Sequence, residues 1–184
     1  MALAERLRIS PGVPLLLAAF VWLASPLLLG AILSAAVCHE LGHWLVLRRV
    51  GGRIQRLHIT VFGAEMQVDD RRISYGGELL AAAAGPMSNL LLAAALGLLG
   101  RWWEPMYLFA GAQLVLGAFN LLPALPLDGG RILWLALAWL TEPYTAQRVL
   151  SAVSLAVSLA LLLGEEGSSG GWGAAPFCWW GPWG

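Results

Sequence analysis

The chain has 184 residues, a length that suits one domain, and is 59% hydrophobic but only 12% charged. Soluble domains sit nearer a quarter charged, so these charges are too few to shield so much apolar surface from water. The composition points to the bilayer as solvent. Net charge is zero and no basic stripe interrupts the apolar runs, which argues against a nucleic-acid partner.

From the N-terminus, Arg6 and Arg8 precede an apolar run from Val13 to Leu23, and Pro26 marks a break. The run could pass for a secretory signal. Apolar character continues from Leu27 to Val50, however, where a cleaved signal would give way to a polar chain, so it reads as a retained membrane segment. Leu27 to Leu47 is the second expected span and ends at Arg48 and Arg49. Between Gly51 and Tyr75 the character changes. Ile54, Leu57, Ile59, Val61 and Phe62 carry β-prone alternation, and Gly63 and the Asp69–Asp70 pair look like turns. A small β-hairpin at the membrane surface is predicted there.

Leu79 to Leu99 is the third expected span, followed by Trp102 and Trp103 at interfacial depth. Met106 to Leu122 is the fourth. Pro123 to Arg131 is a Pro/Gly loop, Ile132 to Leu140 a short helix, and Val149 to Leu163 the last apolar run. The expected fold class is an α-helical integral membrane protein, a polytopic bundle of about four to six transmembrane helices with that surface hairpin. Residues 1–163 form the membrane-embedded domain. Residues 164–184, rich in Gly and Trp, form a tail expected to be disordered or interfacial. Basic residues before the first run and after the second lie on one side if the two runs form a helical hairpin, and the positive-inside rule makes that side cytoplasmic. The Pro123–Arg131 loop then faces the same side.

Chemistry concentrates in three motifs. His39-Glu40-Leu41-Gly42-His43 is an HExxH pattern. On a helix, residues four apart share a face, so the two imidazoles can grip one Zn²⁺ ion while Glu40 takes a proton from water. A carboxylate at the centre of a span costs ~2.5–3.5 kcal/mol on insertion scales, so such a helix needs compensation. The bland alternative is a hydrogen-bonded polar cluster gluing helices together. Zinc in catalysis takes a third protein ligand, and Asp128 in Asn120-Leu-Leu-Pro-Ala-Leu-Pro-Leu-Asp-Gly-Gly-Arg131 is the candidate. Its alternative is to cap the following helix. In Gly85-Pro86-Met87-Ser88-Asn89, proline and glycine are expected to open a membrane helix locally. The Asn89 amide there serves either an oxyanion or an interhelical hydrogen bond. His58 reads as an ordinary surface or interface histidine, and Glu65 and Glu78 as solvated or interfacial charges. Cys38 and Cys178 stand outside any CxxC pair, and Cys38 reads as a packing residue.

Together, HELGH, AAAGPMSN and NLLPALPLDGGR resemble the site-2 protease family of intramembrane zinc metalloproteases, and within it the branch of the stage IV sporulation protein FB. The resemblance runs from about Ser10 to Leu163. It implies one Zn²⁺ held by His39, His43 and Asp128, Glu40 as catalytic base, and Asn89 acting at the substrate or oxyanion. Asn120 and Pro123 match the loop leading to the aspartate. It further implies a membrane-bound protein substrate, regulated intramembrane proteolysis such as that of sporulation, and a bacterial cell membrane with the site toward the cytoplasm. No PDZ or CBS module is expected within these residues, and no oligomeric state follows from them. The rival reading is a non-catalytic protein that binds or transports metal. It would need polar residues repeated along several spans rather than clustered at one depth.

Overall fold

The computed structural model describes residues 7–10, 12–23, 25–60, 63–69 and 73–168. In chain order these form β1 (Leu7–Ile9), α1 (Gly12–Leu23), α2 (Pro26–Arg49), β2 (Arg53–Thr60), β3 (Gly63–Asp69), α3 (Tyr75–Leu99), α4 (Pro105–Asn120), α5 (Asp128–Leu140) and α6 (Pro143–Ser168). The expected tail is helical through Ser168, and its remaining residues lie outside those described.

Among the described residues, three helical segments are long and apolar enough to cross a membrane: Pro26–Arg49, Tyr75–Leu99 and Pro143–Leu163. Against the four to six spans expected, α1 has 12 residues, α4 has 16 and α5 has 13, each short of the ~20 that a full crossing takes. The surface is apolar as lipid requires. Leu91, Val115 and Leu155, on three different helices, are all more than half exposed.

Small residues build the interior. Along α3 the buried set includes Gly77, Ala81, Gly85, Asn89 and Ala93, each four residues after the last. Along α2 it includes Ala31, Ala35, His39 and Leu47, and His43 falls in the same series. A four-residue period keeps each set on one helix face. Without a hydrophobic drive between helices in lipid, small residues let backbones approach closely enough for dispersion and hydrogen bonds to hold them. Ala35 meets Asn89 near one end of the contact and His43 meets Ala81 near the other, so α2 and α3 run antiparallel. Gly42 faces Ala84 and Ser88 with no room for a Cβ, and Ser88 Oγ donates to the Cys38 carbonyl at 3.0 Å. On the other side of α3, Gly117 of α4 packs against Asn89 and Pro86.

The expectation that Gly85-Pro86 opens α3 is corrected: the helix runs unbroken through Pro86 from Tyr75 to Leu99. Proline removes one ladder donor, but helices packed on either side hold the turn in place.

β2 pairs antiparallel with β3, with Arg53 opposite Asp69 and Thr60 opposite Gly63. β1 lies parallel on the other side of β2, Leu7 opposite Leu57, giving the order β1-β2-β3. The chain therefore leaves this sheet, traverses α1 and α2, and returns to it. A three-residue strand before α1 had no sequence signal.

Candidate metal centre

His39 and His43 lie one turn apart on the α3-facing side of α2, with their rings 4.7 Å between centroids and nearly perpendicular. Their Nε2 atoms are 3.1 Å apart. Asp128 Oδ2 completes a triangle, 3.0 Å from His39 Nε2 and 3.2 Å from His43 Nε2. Among the described residues, this is the group of three His, Cys, Asp or Glu side chains whose donor atoms converge enough to hold a metal ion.

The donor chemistry fits zinc. Tetrahedral zinc with bonds of ~2.0–2.1 Å keeps neighbouring donors ~3.3 Å apart, close to the sides of this triangle. Each imidazole must also offer a lone pair at Nε2, and the structure fixes that from behind. His43 Nδ1 donates to the Ala81 carbonyl at 2.7 Å. A carbonyl only accepts, so His43 carries its proton on Nδ1 and leaves Nε2 bare. His39 Nδ1 donates to Asn89 Oδ1 at 2.8 Å, with the same result. Burial pushes the Asp128 carboxyl up, but the His39 and His43 imidazoles beside it outweigh burial and hold it below the usual carboxylate range. Asp128 is therefore an anion at neutral pH.

Local sequence explains how each ligand arrives. A Cβ at Gly85 would collide with His43 Nε2, so only glycine leaves space for that imidazole against α3. Asp128 is the first residue of α5, not its cap. The cap is Leu127, and no side chain bonds the helix end there. The Asp128 carboxylate is thus turned to the histidines. Behind it, a Cβ at Gly129 would run into the Leu121 carbonyl, and one at Gly130 would come within 2.6 Å of the Ala124 carbonyl. The two glycines let α5 start tight against its own approach loop. Ser154 Oγ of α6 accepts from the Leu125 N–H at 3.0 Å and steadies that loop.

Glu40 follows His39 on α2 and is half-buried. Asn89 is brought to the site but sits at the Nδ1 edge of His39, opposite the triangle, and is 0% exposed. Its Nδ2 donates to the Ala35 carbonyl at 3.0 Å and to Gln113 Oε1 at 2.6 Å. Both amide protons that an oxyanion would need are thus committed elsewhere. The backbone of His58 lies in β2, across from Glu65 in β3, apart from the motifs in sequence.

Sequence reasoning missed three contributors. Gln113 is 1% exposed within α4. An amide in the middle of an otherwise apolar run was its available signal. Glu78, read as an interfacial charge, pairs with Arg131 at 2.7 Å and ties the start of α3 to the turn after Asp128. The Ala81 carbonyl, a backbone group, left no trace in the residue pattern.

The chain is similar to several known proteins. The family described as peptidase family M50 matches residues 98–164, a stretch that holds Asp128 but not the histidine motif. A zinc metalloprotease of Methanocaldococcus jannaschii is 29% identical over 136 residues, 70% of this chain and 40% of that protein. Stage IV sporulation protein FB of Bacillus subtilis is 29% identical over 155 residues, 77% of this chain and 54% of that protein. The chain thus spans less than two thirds of the length of either relative. A solved structure of a site-2 protease from Methanocaldococcus jannaschii superposes with a TM-score of 0.70 at 25% identity, over 89% of this chain and 81% of that one.

Proposed function

We propose, on the premise that the chain belongs to the site-2 protease family, that it is an intramembrane zinc metalloprotease. It cleaves a peptide bond in or next to the transmembrane segment of a membrane-bound protein. The observation that carries this reading is the triangle of His39 Nε2, His43 Nε2 and Asp128 Oδ2, with both Nδ1 protons anchored behind it.

In this reading His39, His43 and Asp128 hold one Zn²⁺. When bound, the ion supplies Lewis acidity, polarising a carbonyl oxygen and acidifying water. Glu40, on the same helix as both histidines, accepts the proton of the attacking water at its carboxylate and passes it to the leaving amine nitrogen. Asn89 acts through His39, whose Nδ1–H hydrogen bond its Oδ1 accepts.

Substrate entry is by the sheet. β3 is an edge strand, and an extended peptide adds to such an edge through its backbone groups. The substrate class is read as a regulatory membrane-bound precursor. The return of the chain through α1 and α2 to one sheet supports a cytoplasmic site, because Arg8, Arg48, Arg49, Arg53 and Arg56 then share an end of the bundle. The setting is a bacterial cell membrane. With α4 packed along α3, the bundle is read as at least four crossings.

Glu40→Gln tests the assignment. The variant keeps all three ligands, so purified protein retains zinc, while cleavage falls to background. Proteomics of cells carrying the variant then shows accumulated uncleaved membrane precursors. Full cleavage by Glu40→Gln sinks the reading.

A further inference from the structure

Gln113 takes no part in the chemistry above, yet it is one of three buried polar side chains among the described residues, with His39 and Asn89. The three form a chain. Gln113 Oε1 accepts from Asn89 Nδ2 at 2.6 Å, and Asn89 Oδ1 accepts from His39 Nδ1 at 2.8 Å. A buried amide in an apolar helix costs stability unless its groups are paired, so its presence in α4 asks for a reason.

The two histidines supply one by contrast. His43 is oriented by a backbone carbonyl, which cannot reverse. His39 is oriented by a side-chain amide, which can. If Asn89 rotated its amide by half a turn, an N–H would face His39 Nδ1. The imidazole would then have to carry its proton on Nε2, and Nε2 could no longer serve as a ligand. Two acceptors oppose that rotation: the Ala35 carbonyl at 3.0 Å and Gln113 Oε1 at 2.6 Å, each taking one Asn89 proton. The three groups come from α2, α3 and α4, so the lock exists only where those helices meet.

We infer that Gln113 is a positioning residue: it holds the Asn89 amide in one orientation, and so keeps His39 in the Nδ1-protonated form whose Nε2 can bind metal. This deepens the protease reading and rests on it for its biological meaning, but the tautomer itself is a property of the metal-free chain.

Nitrogen-15 NMR of the full-length, metal-free protein labelled at histidine reads it directly. The chain has three histidines, and assignment by single omission gives a simple spectrum. Wild-type His39 is expected as the Nδ1–H form. Asn89→Ala should shift it toward Nε2–H, and Gln113→Met part of the way, while His43 stays unchanged. Gln113→Glu keeps an acceptor and should leave the His39 tautomer as in wild type. Zinc affinity, measured by chelator competition, should fall about 10–100-fold in Asn89→Ala and about tenfold in Gln113→Met, the range for outer partners of metal ligands. In the Asn89→Ala background, Gln113→Met should cost nothing further. Independent, additive losses would mean that Gln113 only packs, and would overturn the proposal. So would an unchanged His39 tautomer in Asn89→Ala, or a shifted one in Gln113→Glu. Should Gln113→Met fail to fold, Gln113→Ser carries the same comparison. An active Glu40→Gln enzyme would sink the protease reading without touching the tautomer result.

Discussion

The two halves of the candidate metal site are built differently. The histidine half lies within α2, with His39 8% and His43 13% exposed at the side chain, and is backed by hydrogen bonds from α3. The aspartate half stands where a loop becomes α5, with Asp128 20% exposed. It is held by close backbone approach at Gly129 and Gly130, by Ser154, and by the Arg131–Glu78 pair. Rigid, buried helices fix direction. A loop fixed by its own compactness sets distance. The difference teaches where the site is unforgiving: a change under the histidines has no slack to absorb it, whereas one around the aspartate can be shared along the loop.

The sharpest break in that comparison is Gly85→Ala. The new methyl occupies the space of His43 Nε2, and neither packed helix can retreat far. Zinc affinity should drop at least ~100-fold, the upper end for losing an outer partner of a ligand, with cleavage at background. Chelator competition checks it, and near-normal affinity would mean that α2 and α3 are looser than their packing indicates. On the aspartate side, Gly129→Ala should cost less. The methyl pushes on the Leu121 carbonyl, and overpacking of this kind costs about 1–3 kcal/mol. Thermal unfolding in detergent should show that loss, with zinc affinity lowered by about tenfold and residual cleavage retained. Smallest of all is Glu78→Gln. Arg131 is half exposed, so the pair contributes at most ~1 kcal/mol, and zinc affinity should change by less than ~5-fold. If Glu78→Gln proved worse than Gly129→Ala, the aspartate half would depend on charge rather than on backbone closeness.

Legibility in the sequence follows the same division. His39, Glu40 and His43 were readable because helical periodicity converts a spacing of four into a shared face, and because charge in an apolar run needs a cause. Asp128 was readable because prolines and glycines around a carboxylate announce a shaped loop. What stayed hidden was relational. Asn89 could be flagged as polar, but only its neighbours show that both amide protons are spent. Gln113, Ala81 and Ser154 act through contacts between distant segments, which no local pattern records. The unbroken course of α3 through Pro86 was likewise decided by flanking helices, not by the proline itself.

Asp128 arrives 85 residues after His43, on the far side of two strands and two helices. On the zinc reading, a nascent chain that has inserted only its first two helices holds both imidazoles but not Asp128, and would grip metal weakly. Tight capture waits until α3 and α4 are seated and α5 has turned back. Binding free energy gained at that moment becomes folding free energy, so the ion rewards completed insertion rather than guiding its start. On the protease reading proposed above, metal retention would then serve as a quality mark: a misassembled copy would stay empty and inactive.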